Sequence, residues 1–233
     1  MASANYSVTP QRFQTAAVTH TVTLPSTVSG DLLLMHVGSL GGAASATGWT
    51  VLATPANNTT TGTLLAKVAT GSETTVDVTL AASSVCALMI YKVGQWGGTL
   101  ATDVDVNSRA DINTDSSTVS VTAGWGAADN LAIGMVAAGD DNADVTSYPA
   151  SMSDSQLIKT DTDGNNSVIV AGATEQITTA SYTLTQFVFS EGEDYASVVI
   201  LVKPGTSGGG GAGNPAGSNT EIQFNDGGSF GAS

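Results

Sequence analysis

Positive charge is scarcest in this chain: six lysines and arginines stand against 20 aspartates and glutamates, for a formal net charge of −14. Affinity for a phosphate backbone comes from cations that displace counterions, so no nucleic-acid partner is expected. A large negative surplus instead keeps a protein soluble at high local concentration. Cysteine is nearly absent. The one thiol, Cys86, lies inside an apolar run; it excludes an intrachain disulfide and reads as a small buried hydrophobe. The only two histidines, His20 and His36, both fall within strand-like patterns and read as core or surface residues, and without a Cys/His cluster there is no zinc framework. No apolar run approaches the ~20 residues of a membrane-spanning helix, so no membrane partner is expected. No targeting segment opens the sequence, and the mature protein is expected to start at Met1 or Ala2. Apolar residues nowhere keep the i, i+3, i+4 spacing over a helix-length window, which removes the amphipathic helix as well.

Thr, Ser, Gly, Ala and Val make up much of what remains, and only 11% of residues are charged. That mixture favours strands joined by polar, uncharged loops. One stretch organises the pattern. Asp31-Leu32-Leu33-Leu34-Met35-His36-Val37-Gly38 is an almost continuous apolar run opened by an acid, and Asn130-Leu131-Ala132-Ile133-Gly134-Met135-Val136-Ala137 echoes it at an offset of 99. A run of this kind suits a strand buried on both faces.

The same offset carries Gly48-Trp49 onto Ser147-Tyr148, and the order of parts persists beyond it although loop lengths change. Residues 64–68 answer 167–171, residues 75–80 answer 181–185, and residues 85–93 answer 195–203, both copies ending on a long apolar strand with a late lysine. The expected architecture is therefore all-β, a duplicated β-sandwich of jelly-roll-like or immunoglobulin-like antiparallel sheets with a flexible C-terminal arm.

The chain divides accordingly. Residues 1–19 read as an N-terminal arm or edge strand, with Pro10 interrupting regular structure. Residues 20–93 form the first sandwich repeat, 94–117 a partly ordered connector, and 118–204 the second repeat. Residues 205–218, almost all Gly, Ser, Ala, Asn and Pro, form a flexible linker, and 219–233 a docking segment. In that last segment Ile222 and Phe224 share one face of a strand, and Asp226-Gly227 makes a tight turn. So short a piece does not fold alone.

No catalytic residues are assigned. Gly205-Thr206-Ser207-Gly208-Gly209 matches the Gly-x-Ser-x-Gly nucleophile elbow in letters, but it lies in the linker, with no strand before it and no helix after it. Asp161, Asp163 and Asn165 offer oxygen ligands of the kind Ca²⁺ takes, yet Asp, Asn and Gly are equally hairpin chemistry, and the bidentate glutamate of a full calcium loop is missing. The reading is a turn, with a weak Ca²⁺ site as the alternative, and no cofactor is expected. Trp49, Trp96 and Trp125 could line a sugar site; core filling suits Trp49 better, because Tyr148 repeats it.

The C-terminal run Asn214-Pro215-Ala216-Gly217-Ser218-Asn219-Thr220-Glu221-Ile222-Gln223-Phe224-Asn225-Asp226-Gly227-Gly228-Ser229-Phe230-Gly231 resembles a segment recurring in tailed-bacteriophage fibre and appendage proteins. The body, with Gly30-Asp31-Leu32-Leu33-Leu34 and Gly48-Trp49-Thr50, is similar to β-sandwich virion proteins of environmental phages. The resemblance implies a non-enzymatic virion component assembled in the bacterial cytoplasm, a capsid decoration or part of a tail-attached fibre. Its expected partners are other virion proteins, capsid or tail subunits, and further copies of itself. A strand-competent tail can add to another subunit's sheet edge, with Ile222, Phe224 and Phe230 as assembly anchors, and many copies on a lattice would add avidity. The alternative expectation is a carbohydrate-binding adhesin module that recognises a host-surface glycan.

Overall fold

Segments that are apolar at every position, rather than at every second one, form the middle strands of two stacked sheets. The computed structural model describes residues 4–139, 143–160, 167–205, 223–225 and 230–232. The chain first lays down β1 (Asn5–Thr23), β2 (Leu32–Ser39), β3 (Ala44–Ala46), β4 (Thr50–Ala53), β5 (Thr61–Val68) and β6 (Thr75–Gly94). A one-turn helix, α1 (Leu100–Asp103), leads into β7 (Val104–Thr114), β8 (Val119–Thr122), β9 (Asn130–Gly139), β10 (Val145–Ser147) and β11 (Ser153–Lys159). Then come β12 (Val168–Ile177), β13 (Ser181–Leu184), β14 (Val188–Phe189), β15 (Glu193–Val202), β16 (Gln223–Asn225) and β17 (Phe230–Ala232). The protein is an all-β, antiparallel sandwich.

The first sheet runs β1-β6-β2-β5-β4 and the second β7-β15-β9-β12-β11. Strand for strand these are the same plan, with β2 and β9 at the centre. The sheets pack in opposite senses, so that β1 lies by β11, β6 by β12, β2 by β9, β5 by β15 and β4 by β7. Each strand thus faces the partner that a two-fold rotation would bring to it, as in an isologous dimer interface.

Alternation along the central strands explains their composition. On β2, Leu32 and Leu34 enter the core between the sheets, while Leu33, Met35 and Val37 enter a second core on the outer face. On β9, Leu131, Ile133, Met135 and Ala137 point inward, and Ala132, Val136 and Ala138 point outward. Both faces are covered, so no polar alternation remains. The outer cover of the first sheet comes from the bent ends of its own long strands: Val22 on β1, Val78 and Leu80 on β6, with Ala44 on β3. In the second half the cover is cut into separate ribbons, β8 with β13 and β10 with β14, which contribute Val119, Val121, Tyr182, Leu184 and Phe189. Four layers result.

One expected segment role changes: the segment read as a connector, 94–117, contains β7, the edge strand of the second sheet. Residues 5–19, within the segment read as an arm or edge strand, are part of edge strand β1. Pro10 sits within β1 opposite Met89. An edge strand has one side without a ladder, so a missing N–H is tolerated there.

Candidate functional site

The sheet edges come first, because an open edge is where a β protein meets other chains. The four edges of the two large sheets are blunted. Edge β1 breaks register with β6 between Phe13 and Thr19. Edge β4 has four residues and a register break between Val51 and Ala53. Edge β11 is irregular between Ser153 and Gln156, with Asp154 in the left-handed region at φ 51°. Edge β7 caps itself: the Asn107 and Asp111 side-chain oxygens accept from the backbone N–H of Ser108 (2.8 Å) and Ile112 (3.0 Å).

Side chains also lace the two sheets together along both open sides. On one, the Tyr6 hydroxyl donates to Asp154 and shares a hydrogen bond with Thr174 Oγ1 at 2.5 Å. Beside it, Arg12 Nη1 reaches the Lys159 carbonyl at 3.2 Å. On the other, Asn57 Nδ2 donates to the carbonyls of Asp111 and Tyr195, each at 3.0 Å, and Thr59 Oγ1 to Asp194 at 2.7 Å.

The hairpin β16–β17 forms a two-stranded sheet of its own. Phe224 pairs with Gly231 and Asn225 with Phe230, and neither strand joins a larger sheet. Phe224 and Phe230, two of the expected anchors, therefore lie on facing strands of one ribbon. Ile222 and the turn at Asp226-Gly227 lie outside the described residues, as do the Ca²⁺ candidates Asp161, Asp163 and Asn165.

The structure scatters the chemically versatile residues. His20 is buried and shares a hydrogen bond with the Ser84 carbonyl at 2.9 Å. His36 is fully buried between the sheets, neither ring nitrogen has a partner, and burial lowers its pKa to about 3. Cys86 is buried in the outer core of the first sheet, where desolvation pushes its thiol up to about 12. Trp96 belongs to the central core and donates to the Gly30 carbonyl at 2.8 Å. Trp49 and Trp125 lean on the outer cores of the first and second sheets. The three tryptophans thus pack on three separate cores and do not form a common sugar platform.

All six cationic side chains are engaged. Lys67 pairs with Glu73 at 3.1 Å, Arg109 with Asp111 at 3.4 Å and Lys203 with Asp103 at 3.0 Å. Lys92 and Lys159 donate to the carbonyls of Ser26 (3.0 Å) and Ala143 (3.4 Å), and Arg12 to that of Lys159. The negative surplus is therefore not offset by any uncommitted lysine or arginine.

No protein-family model, curated protein or solved structure matches the chain.

Proposed function

We propose that this chain is a non-enzymatic structural component of a tailed-phage particle, displayed on the exterior as a capsid decoration or a tail-attached fibre part and anchored through its C-terminal hairpin. One contrast carries the reading: the four edges of the two large sheets are blunted, while β16 and β17 pair only with each other. The sequence between the large sheets and this ribbon, residues 205–218, has the composition of a tether. A two-stranded ribbon is marginal on its own, and main-chain pairing with an open sheet edge on another virion protein would complete it. Engaged on a symmetric lattice, many such weak contacts would hold the body in place.

The test is to produce particles carrying either the full chain or one lacking residues 205–233, and to count copies per particle. Loss of the truncated chain from otherwise intact particles is expected. Equal occupancy would rule out the hairpin as the anchor.

A further inference from the structure

The duplication supplies an internal control, and one place in the two halves differs in kind. The loop before each central strand follows the same course: Leu24 N donates to the Thr74 carbonyl at 2.8 Å, and Ala123 N to the Ala180 carbonyl at 2.7 Å. The offset of 99 then places Ser26 where the second half has Trp125, and Asp31 where it has Asn130. In the second half the Trp125 indole leans over the strand opening and donates to Asn130 Oδ1 at 2.8 Å. Beside it, the Lys203–Asp103 ion pair closes the end of β15. In the first half the paired positions are Gly94 and Asn5, and a Cβ on Gly94 would come within 2.4 Å of Asn5 Oδ1. With Ser for Trp and Gly for Lys, the first half is left with an open groove of about 440 Å³.

We infer that this groove, lined by Asn5, Ser26, Thr27, Asp31, Lys92 and Gln95, binds a neutral, hydroxyl-rich ligand, one sugar residue of a longer glycan. The lining offers the amides of Asn5 and Gln95, the Ser26 hydroxyl and the Asp31 carboxylate, one oxygen of which already accepts from Val28 N at 2.9 Å; between them these can donate to and accept from several hydroxyls. It contains no aromatic ring on which a planar ligand could stack. An anion is disfavoured: the Asp31 carboxylate stands in the wall, Lys92 is already committed to the Ser26 carbonyl at 3.0 Å, and the net charge is −14. A metal ion would find a single carboxylate.

One further observation sets the place apart. Gln95 holds the left-handed region at φ 54°, a strain that concentrates at binding sites. The groove falls in the size range of small-ligand sites. A second hollow of about 360 Å³ adjoins it across Ser26 and Thr27, giving a chain of sugars a path onward.

The test is a titration of the full ¹⁵N-labelled chain with glucose, galactose, mannose and N-acetylglucosamine at tens of millimolar, with inorganic phosphate as the anionic control. At least one sugar is expected to shift, saturably, the amides around Asn5, residues 26–31 and Gln95, and phosphate to shift none of them. Ser26→Trp, which copies the second half, should weaken that binding about tenfold or more. Gln95→Gly, which removes one amide and relieves the left-handed strain, should weaken it without unfolding the chain. The inference is overturned if no sugar shifts these amides, if phosphate does so instead, or if both variants bind as the parent does. Such a failure leaves the particle-anchoring proposal standing, because particle occupancy does not involve these residues.

Discussion

Met135 occupies in the second sheet the place that His36 occupies in the first. His36 stands on its central strand between Leu64 and Met89, and Met135 stands between Gly172 and Val198. A thioether is at home there, whereas an imidazole without a partner is not; leaving such a group unsatisfied costs about 1–3 kcal/mol.

His36 therefore makes stability depend on acidity, and the sign is fixed by the direction of its shift. Above pH 6.5 the ring is neutral whether the chain is folded or not. As pH falls from there towards about 3, the folded-state value, the unfolded chain takes up a proton that the folded chain does not, and stability declines. Between pH 7 and pH 4 the His36 contribution to that decline is about 3 kcal/mol. His36→Met should remove it. Urea unfolding of both proteins at the two pH values checks this, and an equal acid loss in the variant would refute it.

Cys86 should be silent in the native state. Its thiol stays protonated near pH 8 because burial raises its pKa to about 12, and it has no exposed surface. A disulfide reagent added at pH 8 should modify the chain only as fast as the first sheet's outer cover opens, so labelling should follow the unfolding rate as urea is raised. Prompt labelling without urea would show that the cover formed by β3 and the bent ends of β1 and β6 does not hold.

Close approach of the sheets depends on glycine at one position of β2. A Cβ on Gly38 would stand 2.8 Å from Val170 Cγ2 and 2.9 Å from Ala137 Cβ. Gly38→Ala should destabilise by about 1–3 kcal/mol through overpacking. Adding Val170→Ala opens space on the facing strand, so the double variant should lose less than the sum of the two single losses. Thermal melts of the four proteins test the coupling, and strict additivity would refute the contact.

The doubled central strands were legible because residues 32–37 and 131–138 must be apolar on both faces, and a run of that kind survives without any knowledge of partners. Edge strand β1 was legible only as one alternative beside an arm, and β7 not at all. Both bury one face at most, carry Pro10, Arg12, Arg109 and Asp111, and so look like arm and connector. Register was also out of reach. The two late lysines look equivalent in sequence, but Lys92 pairs opposite Leu33, whereas Leu201 takes that place in the second sheet, opposite Ala132. Hydrophobic pattern fixes which face a residue takes only once its strand is paired. The groove's signal was present in the offset of 99, which runs back through the preceding loop. It lay in a difference, Ser26 against Trp125, and a search for likeness passes over differences.

A symmetric dimer of one short chain must carry every feature twice. Here the two-fold arrangement is held within a single polypeptide, so a change on one side need not be mirrored on the other. One half can be sealed with an indole and an ion pair to act as ballast, while its twin keeps an opening to the outside. Each copy then presents a single mouth with a defined orientation, something that pairing two identical subunits about the same axis could not provide.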